Sequence, residues 1–113
     1  MIPVKLLVDA ADARIRSHVR ETPLEPSPVL SGLSGATVYL KLENLQRTGS
    51  FKVRGAFNRL LSLTPQERAR GVVAASSGNH GAAVALGMST IGIAGVIFVP
   101  ESASRAKVDK IRQ

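Results

Sequence analysis

Apolar positions in this chain follow a period near 3.6 in some stretches and form short continuous or alternating runs in others. The changes between these patterns mark its elements. From Asp9 to Val19, the residues Ala10, Ala13, Ile15 and Val19 fall near one side of a helix that Asp9 can cap. Thr22-Pro23 ends that helix, and Pro26 and Pro28 keep the next stretch extended, because the residue before a proline is pushed out of the helical region. Ser31 to Thr37 reads as a Gly/Ser connector, and Val38 to Leu42 alternates as a strand. Val53, Ala56, Phe57, Leu60 and Leu61 return to helical spacing. They predict a helix capped by Ser50 and running to about Leu63, with that stripe buried and Arg54, Asn58 and Arg59 facing elsewhere. Thr64-Pro65-Gln66-Glu67 is a capping box for a short helix that Gly71 stops.

Val72 to Ala75 is a short apolar strand, followed by Ser76-Ser77-Gly78-Asn79-His80-Gly81, an Ala-rich helix to about Met88 and a second strand from Val96 to Val99. Strand, helix, strand implies parallel pairing with a right-handed crossover. Ser104 to Gln113 carries another helical pattern and ends without glycine, proline or cap. Parallel sheets need helices on both faces. The expected class is therefore α/β, a three-layer αβα arrangement with parallel βαβ units, and the sequence reads as the front part of a larger protein.

Composition narrows the partners. The chain has 113 residues, 44% of them hydrophobic and only 4% aromatic, which suits one aliphatic α/β domain at most. Its net charge of +7 raises the question of nucleic acid, but the charges are spread and no aromatic cluster accompanies them. Arg105, Lys107, Lys110 and Arg112 are more simply a solvated helix face than a phosphate patch. With no cysteine, disulfides and thiolate chemistry are excluded, and His18 and His80 lack partners at metal-ligand spacing. No signal peptide opens the chain, and the longest apolar stretch, Ile91 to Pro100, is too short to span a bilayer. The expectation is a soluble cytoplasmic protein with no membrane or nucleic-acid partner.

Two segments can carry chemistry. Lys52 sits just past a Thr-Gly-Ser turn at the start of an amphipathic helix. Partial burial and a helix N-terminus both disfavour an ammonium, with Arg47 and Arg54 adding to the effect. Such a lysine can form an imine with a carbonyl compound, although spacing alone fits a surface lysine on a helix's first turn better. The loop Ser76–Gly81 joins the carboxyl end of a strand to a helix N-terminus, where backbone N–H groups converge on anions. It is either such a site or a tight βα turn. His80 within it can act as a base, but a loop-ordering role fits a helix N-terminus better.

Taken together, Lys41-Leu42-Glu43-Asn44-Leu45-Gln46-Arg47-Thr48-Gly49-Ser50-Phe51-Lys52-Val53-Arg54-Gly55, the 76–81 loop and Thr22-Pro23-Leu24 resemble the fold-type II pyridoxal-phosphate enzymes. Within that group they are similar to the serine/threonine dehydratase (threonine ammonia-lyase) and serine racemase branch. His80 and Val53 set the chain apart from the cysteine synthase and threonine synthase patterns. The resemblance implies that Lys52 holds pyridoxal 5′-phosphate as an imine and, once displaced by the substrate amine, removes the α-proton. Loss of the β-hydroxyl then yields a 2-oxo acid and ammonia from threonine or serine. It implies that Phe51 flanks the cofactor ring, that Asn79 bonds its 3′-oxygen, and that Ser76, Asn79 and His80 hold the substrate carboxylate. Ser77 matches the racemases' second proton carrier, which keeps racemase activity open.

The same resemblance divides the chain into residues 1–64, the start of a large cofactor domain, and 65–113, the start of a small mobile one. It implies a homo-oligomer when full length. The family's glycine-rich phosphate cup falls beyond Gln113, and Ala94-Gly95, where relatives carry proline and a larger residue, is expected to loosen the start of the second strand. Beside the dehydratase reading stand a non-catalytic remnant of that family and, more remotely, a basic nucleic-acid-binding module.

Overall fold

The computed structural model describes residues 3–112. Helix α1, Val4–Ile15, starts and ends earlier than its apolar spacing suggests. Pro3 precedes it with extended backbone, so Asp9 is not a cap but lies inside the helix, where it pairs with Lys5 at 2.5 Å. Strand β1, Leu24–Pro26, pairs antiparallel with β2, Tyr39–Lys41, in the register Leu24 to Lys41.

Between them, where a connector was expected, lies helix α2, Pro28–Ser34. Its logic is local. The Ser27 side chain accepts the Leu30 N–H, Pro28 takes the first helical position, and Gly35 closes the helix in the left-handed region (φ 71°).

Helix α3, Lys52–Leu61, buries Val53, Ala56, Phe57 and Leu60, the stripe its spacing predicts, while Leu61 is half-buried. Thr64 and Glu67 form the expected capping box on α4, Pro65–Arg70. Strand β3, Val72–Ala75, then pairs in parallel with β4, Gly95–Phe98, across helix α5, Asn79–Ile91. Helix α6 spans Arg105–Arg112, and Gln113, the expected end of that helix, lies outside the described residues. The α/β class and the parallel βαβ unit are as expected.

One core joins the two halves of the chain. Ile15, Val53, Ala56 and Phe57 pack with Ala83 and Val84 of α5, and Ile97 of β4 closes on them from the sheet. Small residues on α5 let α3 approach closely: a Cβ at Gly87 would lie 2.5 Å from Leu60 Cδ1. Gly95 overturns the expected loosening of β4. A Cβ there would stand 2.4 Å from the Val72 carbonyl oxygen and 2.5 Å from Met88 Sδ, so glycine is what lets β4 seat tightly. The opposite face of this strand pair is uncovered among the described residues, with Val73, Val96 and Phe98 exposed.

Candidate active site

Lys52 opens α3 after an unusual turn. Thr48 has φ 63° and Gly49 φ 69°, two left-handed residues in succession, before the chain extends through Ser50. A β-branched residue there is strained by about 1–2 kcal/mol. Surrounding hydrogen bonds hold it. The buried Gln46 carboxamide accepts the N–H groups of Arg20 (2.8 Å) and Arg47 (2.9 Å) and donates to the Arg20 carbonyl (2.8 Å). Arg47 donates to the His18 carbonyl at 3.0 Å and lies over the Phe57 ring, on which His18 stacks.

The turn is also bridged end to end. Arg54 donates through Nε to Glu43 Oε2 at 2.9 Å and through Nη2 to Oε1 at 2.8 Å. The Thr22 hydroxyl donates to Glu43 Oε1, and the Thr22 carbonyl accepts Lys41 Nζ. The Arg54 guanidinium holds the Glu43 carboxyl below its usual range against the opposing effect of burial, with Thr22 helping. Arg54, expected to add positive potential at Lys52, thus has its charge matched by Glu43.

Two sequence expectations fail at this turn. Ser50 does not cap α3: its Oγ is buried and has no hydrogen-bond partner among the described residues. Lys52 is exposed rather than partly buried, with its ammonium 5.0 Å from the centre of the exposed Phe51 ring. The amine is therefore free to meet a ligand.

The second segment lies against the first through α5, which packs on α3 and on the turn before Lys52. The Ser76 N–H donates to the Phe98 carbonyl at 3.0 Å, and Ser76 Oγ accepts the Gly78 N–H at 3.2 Å. No side chain caps α5, which leaves its first-turn N–H groups open. Gly81 makes the fold-back possible, since a Cβ would sit 2.3 Å from the Ser76 carbonyl oxygen. Asn79 is exposed, and its Oδ1 accepts Lys110 Nζ at 3.3 Å. His80 is exposed on a cavity of about 380 Å³ beside Gly55, Ala56 and Arg59. Ser77 opens instead onto a hollow bordered by Ser76, Phe98 and Pro100.

The residues singled out from the sequence, Lys52, Phe51, Ser76, Ser77, Asn79 and His80, do not include Glu43, Gln46 and Thr22, which hold the turn before Lys52. The available signal was the acid Glu43 and the amide Gln46 inside the lysine motif, among the cations Lys41, Arg47, Lys52 and Arg54 and with no apolar role to play. Among the described residues no group of acids and histidines could hold a metal, and no helix is long and apolar enough to cross a membrane.

Comparison with known proteins assigns the arrangement. Residues 15–113 match the family described as pyridoxal-phosphate dependent enzyme. Over 105 residues the chain is 47% identical to the L-threonine ammonia-lyase of Thermotoga maritima, covering 93% of this chain and 26% of that protein. The fold is similar to serine racemase from Dictyostelium discoideum, with a TM-score of 0.87 at 39% identity over 93% of this chain and 34% of that one. It is also similar to threonine deaminase isoform 2 from Solanum lycopersicum, with a TM-score of 0.83 at 36% identity over 96% and 30%. The chain spans about a quarter to a third of the length of the curated relatives it matches. With an exposed lysine at the head of α3 and an uncapped glycine-lined loop at the head of α5, this chain belongs to the pyridoxal-phosphate dependent enzymes.

Proposed function

We propose that the chain is the N-terminal part of an L-threonine/L-serine dehydratase that uses pyridoxal 5′-phosphate. The observation that carries this reading is the free amine of Lys52 at the end of a rigidly bridged turn, on a helix that packs against the one whose N-terminus is open to anions. These residues fit the aldehyde and ring end of the cofactor. The Asn79 carboxamide gives its oxygen to Lys110, which leaves its N–H₂ to donate to a ring oxygen. The phosphate end would be held by residues outside these 113.

When bound, the cofactor supplies an electron sink that acidifies the substrate Cα–H. Lys52 would hold the cofactor through Nζ and would take the Cα proton of the substrate. Phe51 offers a ring face beside that amine. The first-turn N–H groups of α5, with Ser76, Asn79 and His80, bind and orient the substrate carboxylate, aided by the helix dipole. The products are a 2-oxo acid and ammonia. Ser77 would donate a proton on the opposite face, and for that reason a serine racemase is the second reading. A division near residue 64 into two domains that close over the substrate would exclude water from these groups. A cytoplasmic homo-oligomer completes the proposal.

Lys52→Ala in the full-length protein tests it. The visible absorbance of the bound cofactor should vanish and deamination should fall at least about 10³-fold; a normal band in that variant would exclude the assignment. Ser77→Ala should leave deamination within about tenfold of wild type if the enzyme is a dehydratase, and should abolish D-serine formation if it is a racemase.

A further inference from the structure

We propose that Glu43 and Arg54 are positioning residues for Lys52: their two-point ion pair clamps the strained Thr48-Gly49 turn shut and so fixes where the Lys52 amine points. Glu43 lies before the turn and Arg54 two residues past Lys52, eleven residues apart in sequence. The pair therefore closes a loop whose contents include the only non-glycine residue at positive φ among the described residues. Such backbone persists only where its surroundings over-determine it. Here the surroundings come from two separate segments, residues 20–22 and α3. Thr22 donates its hydroxyl to Glu43, the Arg20 carbonyl accepts both Gln46 and Arg54, and α3 supplies Arg54 itself.

The geometry is selective. Bidentate pairing requires a guanidinium, and a lysine at position 54 would give a single point of contact with no orientation. Both side chains are half-buried or more, at 30% and 16% exposure, so solvent screens the pair only partly. Lys52, by contrast, makes no hydrogen bond of its own among those described. The direction of its amine is set by the backbone beneath it.

The inference rests on Lys52 being the attachment point, and its test separates the two ideas. Full-length protein stripped of cofactor is mixed with pyridoxal 5′-phosphate. The growth of the visible band is followed, and the adduct is then reduced with borohydride and mapped by peptide mass. Glu43→Gln and Arg54→Lys should each slow attachment at least about tenfold, with the label still on Lys52. Ser27→Ala, which removes the cap of α2, serves as a destabilised control and should attach at the wild-type rate. The double variant Glu43→Gln/Arg54→Lys should be no slower than the worse single one, because both act through one clamp. Wild-type attachment rates in Glu43→Gln and Arg54→Lys, with the label on Lys52, would overturn the clamp alone. A wild-type label on any other lysine would overturn the attachment reading and the clamp with it. Should Glu43→Gln not fold, Arg54→Lys carries the same test.

Discussion

Ser50 and Glu43 show opposite outcomes for a polar group taken out of water. Ser50 Oγ is buried without a partner, which costs about 1–3 kcal/mol. Ser50→Ala should therefore leave stability unchanged or raise it by about 1 kcal/mol, as read by denaturant unfolding. Glu43 is fully satisfied. Its folded pKa is depressed, so its contribution is present above the usual value of 4.5 and is lost as pH falls through the depressed one. Below that usual value, unfolding titrations should show wild type losing stability more steeply than Glu43→Gln. The candidate residues for the chemistry stand out in the sequence because they sit together in two short segments, 51–52 and 76–80. The clamp does not, because Glu43 meets Thr22 and Gln46 meets Arg20 at separations of 21 and 26 residues, which no local pattern exposes.

At the scale of elements, local signals succeeded where they were unambiguous. Helical spacing found α3, and the Thr64 capping box found α4. Helix α2 was hidden because Pro28 reads either as extended chain or as a first helical residue, and only the Ser27 cap decides between them. Helix α1 was misplaced because Val4, Leu6, Leu7 and Val8 are all exposed and give no one-sided stripe to count. Packing sets the energetic scale here. Phe57 is wholly buried between α3 and α5, so Phe57→Ala should cost about 3–5 kcal/mol. Gly95→Ala should cost about 1–3 kcal/mol by driving a methyl group into the Val72 backbone and Met88. Thermal unfolding of each variant checks both, and an unaffected Gly95→Ala would mean that β4 has room it does not show.

The whole molecule presents an α/β unit with one finished side. Val72, Ala74 and Ile97 face the core with α5, while Val73, Val96 and Phe98 project from the other face of the same strands. That alternation is what a parallel sheet covered on both faces requires. In the full-length protein, Val73→Lys should therefore destabilise by about 3 kcal/mol or more, through a buried unpaired charge; a neutral result would mean that this face is solvated. The parallel βαβ unit also reads as part of a larger fold, and the relatives the chain matches are about three to four times this length.

All of these readings converge on one amine. The most direct measurement is borohydride reduction of the full-length protein loaded with pyridoxal 5′-phosphate, followed by peptide mass mapping. The account predicts that the cofactor's mass appears on the peptide containing Lys52 and is absent there in Lys52→Ala. A label on Lys41, Lys107 or Lys110 with Lys52 unmodified would contradict it.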